Sequence, residues 1–178
     1  MIRATRTFLR RLAGNREGVS AVEFALIAPV MVLLYLGMVE ISLALSVDRK
    51  VTNAASALAD LVAQDDVITD GEMVDILNAG AAIIAPYDPV NFSVRISSVS
   101  MDLIGNVEVD WSDARGMIAR AVGSQPTLPD GLLTNGRSII WVEVAYAYQA
   151  PFREVTGDFN IAEEFFLRPR QSLVVSRD

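Results

Sequence analysis

The sequence predicts an α+β protein: a long N-terminal helix, membrane-spanning in its first part, joined to a small and mostly antiparallel β-sheet domain. Three observations predict it. An apolar run fills residues 24–47. No glycine or proline interrupts the chain from Val39 to Asp70, so the helix has nothing to stop it at the end of that run. Further on, short stretches alternate apolar and polar residues with the period of a strand.

The run of 24 residues would make a helix about 36 Å long, enough for a hydrocarbon core of roughly 30 Å. A buried helix of a soluble protein is the competing reading, but such helices seldom stay apolar this long. A cleaved secretory signal is another, against which the run is longer than the usual apolar core of such signals. Pro29 lies inside the run, removes one backbone donor and is a place for a bend. Past Val47, the residues Val51, Ala54, Ala55, Leu58, Leu61 and Val62 form an apolar stripe at helical spacing. One helix over about 20–64 is therefore expected, amphipathic in its outer half.

Charge is divided unevenly. Arg3, Arg6, Arg10, Arg11 and Arg16 stand against Glu17 alone in residues 1–18, a net of +4. Residues 51–178 carry 8 basic and 18 acidic groups, a net of −10. Arginines flanking a span stay on the cytoplasmic side, which orients the acidic body outward and makes the lipid bilayer a partner. An acidic body does not grip nucleic acid through backbone charge, so no nucleic acid is expected as a partner.

The segment "REGVSAVEFALIAPVMVLL" begins at Arg16. Its glycine, four residues, then Glu-Phe leading directly into an oily helix closely resembles the start of the TadE-like family of tight-adherence (Flp-type) pilus assembly proteins, which are pseudopilins. The resemblance covers residues 16–45 and, beyond them, only size and layout. It implies a pilin-like layout and a bacterial inner-membrane location, with the N-terminus cytoplasmic and the C-terminal domain periplasmic. It implies cleavage by a prepilin peptidase between Gly18 and Val19, removing a basic cytoplasmic leader (1–18). The long helix (19–64) and the periplasmic domain (65–178) would remain. It further implies a role as a minor pilin-like component in assembly, with other pilin-like subunits and inner-membrane assembly components as partners. Glu23 and Phe24 would become the fifth and sixth residues, the position linked in pilins to docking and assembly. An uncleaved single-pass anchor carrying a periplasmic binding domain is the alternative.

Glu23 has a physical rationale under that reading. Cleavage creates an α-amine at Val19, ordinarily with a pKa near 7.7–8.0. Glu23 lies one helical turn along and can meet that amine, or a neighbour's. A paired carboxylate beside lipid costs less than a lone one. A glutamate that simply marks the membrane edge is the plainer alternative. Glu40 lies 17 residues further, about 100° round the helix, so the two carboxylates do not share a face. With Gly37 beside it, Glu40 either meets a partner helix or reaches the outer interface.

In the outer region a helix is expected over 70–84, with Asp70 as cap and Met73, Ile76, Leu77, Ala81 and Ile84 as its apolar side. Pro86 and Pro89 then bracket a turn. Phe92, Val94 and Ile96 alternate with Ser93, Arg95 and Ser97, a strand with one wet face. Val107, Val109 and Trp111 continue the pattern in an antiparallel neighbour after a turn at 103–106. Residues 112–122 suggest a short helix or an irregular excursion. The loop over 123–138 carries Leu128, Leu132 and Leu133, which suit peripheral packing. Residues 139–148 form a central strand. Phe152 opens another short segment, 159–166 is helix or strand, and 172–175 is a terminal strand.

Chemistry is poorly supplied. The chain has no histidine and no cysteine, which removes the commonest proton relay, the usual zinc sites and the thiol nucleophile. The acidic clusters lack calcium-loop spacing. No catalytic residue, metal or cofactor is expected. Trp111, Trp141, Tyr146 and Tyr148 suit core or edge packing better than a ligand groove.

Overall fold

The computed structural model describes residues 17–153 and 157–178. The elements, in chain order, are α1 (Glu17–Ala63), β1 (Val67–Ile68), α2 (Asp70–Ile84), a short 3-10 turn (Pro89–Asn91), β2 (Phe92–Met101), β3 (Val107–Arg115), β4 (Arg137–Tyr148), β5 (Phe159–Leu167) and β6 (Ser176–Arg177). A long apolar N-terminal helix and a small, mostly antiparallel sheet domain make this an α+β chain. Two compact units are distinguishable, one ending at Ser42 and one beginning at Leu43.

In the first unit α1 runs unbroken through Pro29. It is apolar on every face and almost wholly exposed, from Val22 and Phe24 through Leu26, Met31 and Leu34 to Ile41. Among the described residues, α1 is the one helix long and apolar enough to cross a membrane.

The second unit holds a four-stranded antiparallel sheet in the order β3-β2-β4-β5. One sheet face packs on the helices. Val47, Val51, Ala54, Ala55, Leu58 and Val62 of α1 meet Val94, Ile96, Val142 and Val144 in this main core. Leu61 departs from the expected stripe and is 38% exposed, whereas Ala59 and Ala63 are buried. The seam is shifted round the helix toward smaller residues than spacing alone suggests.

α2 keeps its expected bounds, but Thr69 is its cap rather than Asp70. The Thr69 hydroxyl accepts from Glu72 N, while the Glu72 carboxylate accepts from Thr69 N at 2.8 Å. This is a reciprocal capping box. Gly80, not Ala81, completes the buried face with Met73, Ile76, Leu77 and Ile84. A Cβ at Gly80 would stand 3.0 Å from Leu58 Cδ1 and 3.1 Å from Phe92 Cε1, so the glycine admits α1 and β2 close to α2.

The opposite sheet face is drier than expected. Ser97 is fully buried, and Val99, Val109, Leu133, Ile139 and Trp141 form a second core with Leu128, Leu132 and Phe166 packed against it. The leucines of the loop are thus peripheral packing groups. On the same sheet, Glu143 accepts a bidentate pair from Arg95 and also from Arg120 at 2.9 Å. The Glu143 carboxylate raises the Arg95 pKa. Arg120 also lies 3.7 Å over the Trp141 ring.

A register shift at Ser98/Val99 breaks the simple alternation in β3. Ser98 pairs with Trp111 and Val99 with Val109, leaving Asp110 as the extra residue. Val109 therefore joins the second core and Trp111 the main one. Asp110 accepts from Ser98 Oγ at 2.9 Å and Ser100 Oγ at 2.6 Å. β3 continues to Arg115, and residues 116–122 are irregular, without a helix. Phe152 lies in a turn, and β5 is one edge strand.

The chain end also departs from expectation. Residues 172–175 are not a strand; β6 follows them and pairs in parallel with β1, in a separate two-stranded sheet. Arg177 ties this corner, donating to Asp113 at 2.9 Å and Asp70 at 2.7 Å.

Candidate membrane-entry segment

The helix α1 places the sequence-predicted site residues along one continuous element. Gly18 and Val19 are helical. Gly18 has nothing within 4 Å of where a Cβ would sit. Val19 is 56% and Phe24 70% exposed. Glu23 is exposed and makes no hydrogen bond or ion pair among the described residues. Val19 and Glu23 are separated by one turn, as an i, i+4 pair requires. The leader arginines Arg3, Arg6, Arg10, Arg11 and Arg16 lie outside the described residues.

Further along, Gly37 is half-buried with open space beside its Cα. Glu40 is buried, at 2% exposure, and its side chain is engaged. Glu23 and Glu40 are thus in unlike surroundings, one open and one covered. Among the described residues no three acidic side chains gather in a metal-binding group.

Within the second unit, the groove nearest the start of that unit is lined by Leu43, Tyr87, Asp88, Tyr146 and Tyr148 among others, with a cavity volume of about 320 Å³. Tyr146 and Tyr148 are mostly buried, and both touch this groove; the two tryptophans do not. Tyr87 was not singled out in the sequence. Its signal is its place directly after Pro86 in the turn that leads to β2. Tyr87 and Tyr146 meet edge to face, with ring centroids 6.2 Å apart.

The described part of the first unit presents an exposed oily surface that carries the Glu23 carboxylate, which suits insertion and lateral association. Residues 18–60 match the family model described as TadE-like protein. The match covers 43 of 178 residues. It begins at Gly18, takes in Glu23 and Glu40, and leaves the whole sheet outside. No curated protein and no solved structure matches the chain. The match and the single apolar helix together support a pilin-like, membrane-anchored protein in general terms.

Proposed function

We propose that this chain is a minor pilin-like component in assembly of a tight-adherence (Flp-type) pilus or a related secretion system. Residues 24–47 span the bacterial inner membrane. The basic leader, 1–18, stays cytoplasmic until a prepilin peptidase cuts between Gly18 and Val19. The domain over 65–178 faces the periplasm. The new amine of Val19 and the Glu23 carboxylate then set the axial register against other pilin-like subunits or inner-membrane assembly components, with Phe24 beside them.

One observation carries this reading. The family match starts at Gly18 and covers a helix whose first part is apolar and exposed, where the Glu23 carboxylate has no partner among the described residues. A helix that is apolar on every face needs lipid or other helices around it.

A second reading, an uncleaved anchor with a periplasmic binding domain, is favoured by the helical state of Gly18. Peptidases act on extended backbone, and Gly18 is helical. Cleavage therefore requires local opening of the backbone around Gly18. Co-expression with and without a matching prepilin peptidase, followed by N-terminal mapping, decides between them. The expected mature N-terminus is Val19, appearing only with the peptidase and abolished by Gly18→Leu. Functional protein that retains Met1 through Gly18 would overturn the first reading.

A further inference from the structure

We propose that the groove lined by Tyr87, Tyr146, Tyr148 and Asp88 seats the ammonium headgroup of a zwitterionic phospholipid. The proposal rests on the membrane-spanning reading of residues 24–47, and on three features of the second unit.

The first is connectivity. Leu43, a lining residue, belongs to the apolar run and lies four residues before Val47. At 1.5 Å per residue that is about 6 Å of helix. Leu43 is therefore near the level where the span leaves the hydrocarbon, and the seating of the headgroup decides how close the rest of the groove comes to it.

The second is composition. Three of the chain's four tyrosines line this groove, and the fourth, Tyr35, lies within the span. Tyrosine is enriched at membrane–water interfaces, where the ring meets apolar groups and the hydroxyl meets water or headgroups. Val90, in the 3-10 turn beside Asp88 and Asn91, is 87% exposed, an apolar group pointing outward at the same place.

The third is charge. None of the eight lining residues is basic. Asp88 uses Oδ1 to accept from Val90 N at 2.9 Å, and Oδ2 has no partner among the described residues. An exposed carboxylate that lines the same groove as three tyrosines suits an organic ammonium, which gains both ion pairing and cation–π attraction. It does not suit a phosphate without a compensating cation. The net of −10 over residues 51–178 likewise disfavours a purely anionic lipid surface.

The chain has no cysteine, so single nitroxide labels can be placed without further changes. The full chain carrying Leu34→Cys, Val90→Cys or Ile104→Cys is reconstituted in phosphatidylcholine bilayers. Oxygen and nickel-chelate accessibility then report the depth of each label. Ile104 is 85% exposed in the turn at the far end of β2, roughly 30 Å from Phe92, and serves as the aqueous reference. The expected result is label 34 in hydrocarbon, label 104 in water, and label 90 at headgroup depth with an oxygen-to-nickel ratio several-fold above that of label 104. In phosphatidylglycerol alone, label 90 should move toward the aqueous value. If label 34 is in hydrocarbon while label 90 matches label 104, the headgroup seat is wrong and the membrane reading stands. If label 90 keeps the same depth in phosphatidylglycerol, ammonium recognition is wrong. A label 34 exposed to water overturns the membrane reading and this inference with it.

Discussion

Trp111 donates its indole N–H to the carbonyl of Val175 at 2.7 Å, joining an edge strand to the chain's last residues. Both residues are buried, so neither group has water to fall back on. The bond exists because the extra residue Asp110 re-aims β3. Trp111→Phe keeps most of the ring but leaves a buried carbonyl without its donor. We expect a loss of about 1–3 kcal/mol. Thermal unfolding of the detergent-solubilised chain by circular dichroism measures it. An unchanged midpoint would show that Val175 finds another donor.

Gly80 presents two opposed effects. Alanine there removes the cost of glycine in a helix interior, about 1 kcal/mol. Its Cβ would meet Leu58 Cδ1 at 3.0 Å and two Phe92 ring atoms at 3.1 and 3.3 Å. Leu58 is fully buried and Phe92 is 3% exposed, so neither yields freely. Overpacking of this kind costs about 1–3 kcal/mol, and we expect Gly80→Ala to be net destabilising. Leu58→Val removes the nearest atom. In that background, the same alanine should cost less. A double-mutant cycle in denaturant tests the coupling; stabilisation by Gly80→Ala alone would contradict it.

The residues differ in how much they disclose before folding. The long helix, α2 and the three central alternations were legible because each is a local periodicity. The cap was misplaced at Asp70, although Thr69 and Glu72 carry the Ser/Thr-x-x-Glu spacing of a capping box. Asp110 is different. Nothing in "VEVDW" marks a bulge, and the choice depends on Ser98, Ser100 and both cores at once. The pairing of β1 with β6 was equally hidden, because two-residue strands carry no period. At the membrane-entry segment the sequence displayed Gly18, Val19, Glu23 and Phe24 as one string. The tyrosine groove assembles Leu43, Tyr87 and Tyr146 from three distant stretches, so no local pattern announces it.

Two carboxylates make stability depend on acid. Backbone and side-chain hydrogen bonds from Thr69 hold the Glu72 carboxyl below the ordinary glutamate range. The Asn106 N–H, chief among several donors, does the same for Asp102 in the β2–β3 turn. Each folded value lies below its unfolded one. Their contribution is therefore complete above the unfolded carboxylate range, and is lost as pH falls from roughly 4 through the folded values. Carboxyl ¹³C titration should show both midpoints depressed. Thr69→Ala should raise that of Glu72 only in part, because the backbone donor remains. An unmoved Glu72 midpoint in that variant would remove the hydroxyl from the account.

The proposed pairing of Glu23 predicts that insertion and association can be separated. The helix exposes large apolar side chains from Val19 to Leu45, so removing the Glu23 charge should not hinder insertion. Glu23→Gln keeps the size and would lose the proposed ion pair with an α-amine at Val19. Glu23→Asp keeps the charge on a stem one methylene shorter. Recovery of pilin-like partners from detergent extracts should fall sharply with the glutamine variant and partially with the aspartate variant, at equal membrane levels. The amine itself supplies a further check. Its ordinary pKa is near 7.7–8.0, so the pair requires the protonated amine and weakens as pH rises above about 8. Partner recovery by the unsubstituted chain should decline across that range, while the glutamine variant, with no pair to lose, should stay flat. Equal recovery by all three chains at every pH would mean that Glu23 marks the membrane edge and sets no register.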